Sequence, residues 1–200
     1  MKKTFLLIAF LSASFFNTSK AQGFEEGKTF VNVGIGGPYF PTLVAEAILR
    51  ESGNITSSTF YPIYLKGEIA LSENMGIGLN LAYAGASAQG SHQNSNSNLS
   101  VNYIDKVSYQ TASALVRFNY HFVKNNKFDP YLGMGMGYRW GQWTNSSTDP
   151  TYSFGKSKTY FPFGADLTFG CRYMFSDMIG AYVEMGIAKS PFQFGVTARF

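Results

Sequence analysis

The chain has 200 residues, 45% of them hydrophobic and 17% aromatic, enough for one domain of ordinary size. Its formal charge of +4 belongs to the N-terminus: without Lys2, Lys3 and Lys20 the balance is 13 Lys and Arg against 12 Asp and Glu, with no basic cluster, which argues against nucleic acid as a partner. The single cysteine, Cys171, cannot close an internal disulfide and reads as a small apolar residue on a strand.

Lys2 and Lys3 precede the apolar run "FLLIAFLSASFF" (Phe5 to Phe16), and Ser19 and Ala21 follow at the spacing of a cleavage site. Residues 1–21 therefore read as an export signal, leaving 22–200 as the folded domain. Beyond the signal no stretch approaches the roughly 20 continuous apolar residues of a membrane helix, so a membrane crossing here requires a closed barrel.

From residue 28 onward a period of two recurs, as a strand requires. "KTFVNVGIGG" sets Val31, Val33 and Ile35 against Asn32, Gly34 and Gly36. Residues 38–59 form a long connection in which "PTLVAEAILRESG" has the proline start and glycine stop of a short helix. "PIYLKGEIALS" and "GIGLNLAYAG" make a hairpin around "SENM". The polar run from Ser87 to Asn102 lacks an apolar period and predicts a mobile loop. "VSYQTASALVRFNYHF" and "DPYLGMGMGYRWGQW" follow, joined by a short turn, and "NSSTDPTYSFGKSK" is the third long loop. "YFPFGADLTFGCRYMF", "GAYVEMGIA" and "FQFGVTARF" complete eight strands, with turns at "SDMI" and "KSP".

The stretch after Tyr131 poses the sharpest question, because glycine fills one face at 133, 135 and 137 while Leu132, Met134 and Met136 fill the other. The charged residues settle it. Lys66, Glu68, Arg117, Arg139, Asp166, Arg172, Glu184 and Arg199 all fall on the small or polar face, and the other face carries almost no charge. A soluble barrel would place its bulky apolar residues inside, so this apolar face is read as turned to lipid. Tyr131 and Leu115 depart from the pattern by falling inward. Aromatics gather in two girdles: Tyr120, Phe122, Phe128 and Phe200 toward the short turns, and Tyr138, Trp140, Trp143, Tyr160 and Phe161 toward the long loops.

With "DPYLGMGMGY", the hairpin "RYMFSDMIGAYVEMGI" and the C-terminal strand in view, the chain resembles the eight-stranded outer-membrane barrels of the OmpX and OmpA transmembrane-domain type. The resemblance implies an all-β fold, an eight-stranded antiparallel up-and-down transmembrane β-barrel with a side-chain-filled lumen, integral to the cell outer membrane and monomeric. Outer-membrane lipid and lipopolysaccharide would surround it. Gln193, Gly195, Ala198 and Phe200 match the family's C-terminal assembly signal, implying the barrel-assembly machinery as a partner, although Ala198 is smaller than usual there.

Eight strands enclose a space that side chains fill, so inward charges must pair. A structural network of Glu68, Arg117, Arg172, Glu184 and Arg199 is expected, with Arg172 facing Glu184 across a hairpin and Arg199 reaching the same Glu184. The sequence offers no catalytic, cofactor or metal-ligand set. His92 lies among serines with no carboxylate near it in sequence, and His121 sits beside a short turn. Asp166 offers a small-solute path as the alternative to simple packing. The expected function is non-enzymatic, in envelope integrity or surface interaction through the loops; a small-solute pore and a lipid-modifying enzyme using His92 are the alternatives.

Overall fold

The period-two segments become strands β1 (Thr29–Gly37), β2 (Gly53–Ala70), β3 (Met75–Asn94), β4 (Val101–His121), β5 (Phe128–Ser147), β6 (Lys156–Lys158), β7 (Phe163–Met174), β8 (Ile179–Ile187) and β9 (Phe192–Arg199). The proline-started segment becomes helix α1 (Pro41–Ile48). The structure is a computed structural model that describes residues 24–49, 53–94, 101–123, 125–151, 155–159 and 161–200. The expected export signal, residues 1–21, and the girdle residue Tyr160 lie outside them.

Neighbouring strands pair antiparallel in the order β1–β2–β3–β4–β5–β7–β8–β9, and β9 returns to β1 from Phe30↔Arg199 to Gly37↔Phe192. The wall is therefore a closed ring of eight strands, the arrangement that satisfies strand backbone groups inside lipid without leaving an edge. β6 lies outside the ring, a short ribbon paired with the upper part of β5. Two of the lower turns are built alike: Ser72 Oγ accepts from Met75 N at 3.2 Å, and Ser176 Oγ accepts from Ile179 N at 3.1 Å.

Around the lower ring, Val33, Ile63, Leu65, Leu79, Val116, Met134, Leu167, Phe169, Val183 and Phe194 are exposed on the outside, while Asn32, Lys66, Glu68, Arg117, Asp166, Arg172 and Glu184 are buried inside. β1, β8 and β9, of 9, 9 and 8 residues, rise roughly 25 Å at ordinary tilt, which matches the apolar band of an outer-membrane barrel. β3, β4 and β5, of 20, 21 and 20 residues, reach about twice that height.

This height corrects the loop expectation. Much of the run from Ser87 to Asn102 is strand, with β3 continuing to Asn94 and β4 starting at Val101, and β2 starts at Gly53 rather than near residue 62. The reason is an inversion of polarity. Above Tyr83 and Ala112 the outward positions become Ser87, Gln89, Lys106, Ser108 and Gln110, whereas Ala86, Ala88, Val107 and Tyr109 are buried within. Water has replaced lipid outside, so the apolar face turns in.

Helix α1 supplies the inner partner. Ala45 and Leu49 are buried against Ala88 and Val107, with Trp143 packed on the same cluster. Trp143 therefore points inward and stacks on Tyr109 (ring centroids 4.5 Å apart) instead of joining the upper girdle. The small inward alanines of β3 leave the room that the helix occupies.

Candidate functional site

The lumen holds the charged side chains, in two tiers. In the lower tier, His121 Nδ1 lies 2.6 Å from Asp129 Oδ1 and Nε2 lies 2.9 Å from Glu68 Oε1. Both ring nitrogens thus act as donors, as in an imidazolium. Arg172 donates to Glu68 Oε2 and, at 3.3 Å, to Asp129 Oδ2. Two cations and two carboxylates close a ring of alternating charge. Phe24, just before β1, stacks on His121 at 3.5 Å, and the Phe30 ring lies 4.4 Å from the Arg172 guanidinium carbon.

In the middle tier Glu184 is the hub. Its Oε2 accepts from Lys66 Nζ at 2.8 Å, Arg117 at 3.0 Å and Thr168 Oγ1 at 3.0 Å, and its Oε1 accepts from the Tyr131 hydroxyl at 2.7 Å. Lys66 also donates to Gln193 Oε1 at 2.6 Å, and Arg117 donates to Asn119 Oδ1 at 2.9 Å. Beside this tier Asn80 Nδ2 donates to Asp166 Oδ2 at 2.8 Å. Tyr131, which broke the inward pattern, is the fourth ligand of the hub.

The glycine face now has a physical cause. A Cβ at Gly133 would lie 2.6 Å from both Arg117 Nε and Asn119 Oδ1, and one at Gly170 would lie 2.5 Å from the Tyr131 ring and 2.8 Å from Glu184 Cγ. The long polar side chains of one strand occupy the volume that its neighbours leave empty.

Of the five residues expected to form one network, Glu68, Arg117, Arg172 and Glu184 are brought into the lumen but divided between tiers. Arg172 stands opposite Tyr182, and Glu184 opposite Gly170, so the expected facing of Arg172 and Glu184 is shifted by two residues and their partners differ. Arg199 does not reach Glu184. It lies six residues along β9 from Gln193, the residue opposite Glu184, a separation of roughly 20 Å, and its guanidinium donates to the Asp177 and Asn126 carbonyls. Lys66, Tyr131, His121 and Asp129 were missing from the expected set, although inward parity marked Lys66 and His121. Within the C-terminal motif, Gln193 points inward to Lys66, Ala198 is half-buried, and Phe200 is exposed.

At the upper end His92 differs from the sequence expectation, because carboxylates reach it from other segments. Its Nδ1 lies 2.6 Å from Asp105 Oδ2 and its Nε2 lies 3.6 Å from Asp149 Oδ2. The ring sits between two acids, Asp105 on Nδ1 and Asp149 toward Nε2. Among the described residues no group of three or more His, Cys, Asp or Glu side chains is placed to hold a metal ion, and no helix is long and apolar enough to cross a membrane.

A closed eight-stranded wall, apolar outside and charged within, is built from strands between Thr29 and Arg199, and residues 4–200 match the family of the outer membrane protein beta-barrel domain. The chain belongs to that family. As an outer-membrane β-barrel it resides in the outer membrane. Solved barrels of similar architecture include the N-terminal β-barrel domain of Pseudomonas aeruginosa OprF (15% identity, 88% of this chain and 98% of that one, TM-score 0.48). The attachment invasion locus protein Ail of Yersinia pestis (13%, 88% and 99%, 0.47) and OprG of Pseudomonas aeruginosa (12%, 89% and 98%, 0.47) are similar to the same degree. No curated protein sequence matches the chain.

Proposed function

We propose that this barrel is a non-enzymatic surface protein: the packed lumen anchors a rigid wall, and the projecting sheet presents a fixed surface outside the cell. The projecting sheet carries the reading. A pore needs an open lumen, and an enzyme needs a nucleophile beside its base. Neither requires β2 to β5 to continue well above the apolar band with their own helix-backed core. Ordered strands exposing polar residues suit recognition by a surface partner, since side chains held on a rigid sheet lose little entropy on binding.

On this reading lipid and lipopolysaccharide contact the apolar wall, and export uses residues 1–21. The terminal strand with Gln193, Gly195, Ala198 and Phe200 serves insertion by the assembly machinery. The barrel acts as a monomer.

Two measurements test the proposal. Refolded protein that shows the heat-modifiable gel shift is expected to be silent in a planar bilayer; steady ion-selective openings would overturn the closed-lumen reading. The lipid A mass spectrum of cells producing the protein is expected to match that of cells without it. A modified species that disappears in His92→Ala would establish an enzyme instead.

A further inference from the structure

Each buried cation of the two tiers has a carboxylate: Lys66 and Arg117 share Glu184, and Arg172 takes Glu68 and Asp129. Two half-buried cations above them do not. Lys189, in the connection from β8 to β9, extends across the lumen to β4, where its Nζ donates to Thr111 Oγ1 at 3.1 Å. Thr111 is fully buried and faces Gly141 on β5; Arg139 is two residues below that glycine. On one face of an antiparallel pair such diagonal neighbours stand roughly 7–8 Å apart. No salt bridge joins Arg139 or Lys189 to a carboxylate among the described residues, and Asp166, opposite Gly135 further down, is bonded to Asn80.

The hydrogen-bonding groups here are donors in excess. Lys189 has given one of its three N–H groups to Thr111, whose own hydroxyl donates to the Trp140 carbonyl at 2.7 Å. Arg139 adds the fork of a guanidinium. Tyr39, just before α1, is 4% exposed, and its buried hydroxyl has no hydrogen-bond partner among the described residues. The charge of Arg139 acts on that hydroxyl, and burial, helped by the same charge, pushes the Lys189 ammonium down to about 7. Two like charges inside a wall, with spare donors and no acid among the described residues, are unfavourable until an anion with oxygen acceptors joins them.

We propose that Arg139, Lys189 and the Tyr39 hydroxyl form a binding site for a small free oxyanion of the phosphate type at the upper mouth of the lumen. The position, inside the wall and next to the start of α1, suits a solute entering from outside rather than the headgroup of a lipid packed against the barrel exterior. At Gly141 the Thr159 and Tyr109 hydroxyls take the space a side chain would fill: a Cβ there would lie 2.6 Å from each oxygen.

The test titrates refolded full-length protein in detergent with inorganic phosphate at pH 6 against chloride of equal ionic strength, following tryptophan fluorescence. Trp140 neighbours Arg139 in sequence, and Trp143 stacks on Tyr109. A saturable phosphate-specific change is expected. Lys189→Met and Arg139→Gln should each weaken it at least about tenfold while the heat-modifiable shift persists, because a charge-assisted hydrogen bond is lost in each. Lys189→Arg, which keeps the charge, should retain binding. If the wild type does not distinguish phosphate from chloride, or if Lys189→Met binds as the wild type does, the site does not exist.

Discussion

Replacing Glu184 by Gln probes the hub of the lumen with little change of shape. The carboxylate accepts from Lys66, Arg117, Thr168 and Tyr131, and all five side chains are buried. The amide keeps one acceptor oxygen but turns an NH2 group toward donors, and it removes the one counter-charge that Lys66 and Arg117 share. Breaking a buried ion pair from one side costs roughly 3–5 kcal/mol, because the remaining charge is stranded. At roughly 2–4 °C per kcal/mol for a domain of this size, the unfolding midpoint should fall by about 6–20 °C. The assay is the heat-modifiable gel shift in detergent, read as folded fraction against temperature. Lys66→Met combined with Glu184→Gln should recover part of the loss, since one of the two stranded cations is gone. A midpoint within about 2 °C of the wild type for Glu184→Gln alone would refute the reasoning, since it would mean the lumen is wet enough to solvate both cations.

The inversion of polarity along β3 predicts that Leu79→Arg, in the lipid-facing band, costs roughly 2–4 kcal/mol, whereas Gln89→Arg, on the same face ten residues higher, changes stability by less than about 0.5 kcal/mol. Equal costs in urea titrations from lipid vesicles would place Gln89 in the membrane too. Gly170→Val should drive Tyr131 off Glu184 and lower stability by roughly 1–3 kcal/mol or more, seen in the same titration and as changed tyrosine fluorescence. A neutral outcome would show that the Tyr131 ring can move freely. Lys189, pushed down to about 7 by burial and by Arg139, holds fewer protons in the folded than in the unfolded chain between that value and its ordinary pKa of about 10.4. Stability attributable to it should therefore rise with pH across that window and be lowest below it. Lys189→Met should stabilise the barrel at pH 6 more than at pH 10; an equal effect at both values would mean that Lys189 titrates normally.

The wall was legible because a transmembrane strand obeys one strong rule. Lipid on one side and a narrow lumen on the other force an alternation that needs no tertiary knowledge, and Val33, Leu65, Met134 and Phe194 all obey it. Ion-pair partners were less legible. Parity tells which residues point inward, but partner choice depends on register and on reach across the lumen, so Glu184 goes to Lys66, 118 positions away in the chain, and not to Arg172. The upper sheet was missed for a different reason: a strand signal built on large apolar residues passes over "ASAQGS" (Ala86 to Ser91), where the inward residues are alanine and glycine. Alternation is present there, with Ala86, Ala88 and Gly90 set against Ser87 and Gln89, but its amplitude is small because the inner partner is a helix pressed close.

That close helix is also what lets the upper strands hold one register. A hairpin of serines, glutamines and asparagines has little to favour one alignment over a slip of a residue, since both faces would be equally content in water. Burying Ala88 and Val107 against Ala45 and Leu49 breaks the tie, because a slip by one would turn those apolar residues out and put Gln89 and Lys106 under the helix. Below Tyr83 the same strands are aligned by the opposite requirement, with lipid rejecting any charge that turned outward. β3 and β4 are thus fixed at two heights by two solvents of opposite preference, and the inward face is the same in both, charged where it must balance charges and apolar where it must cover a helix. The projecting sheet inherits its rigidity from the apolar wall beneath it and from α1 behind it, which gives a polar sheet above the apolar band a fixed shape.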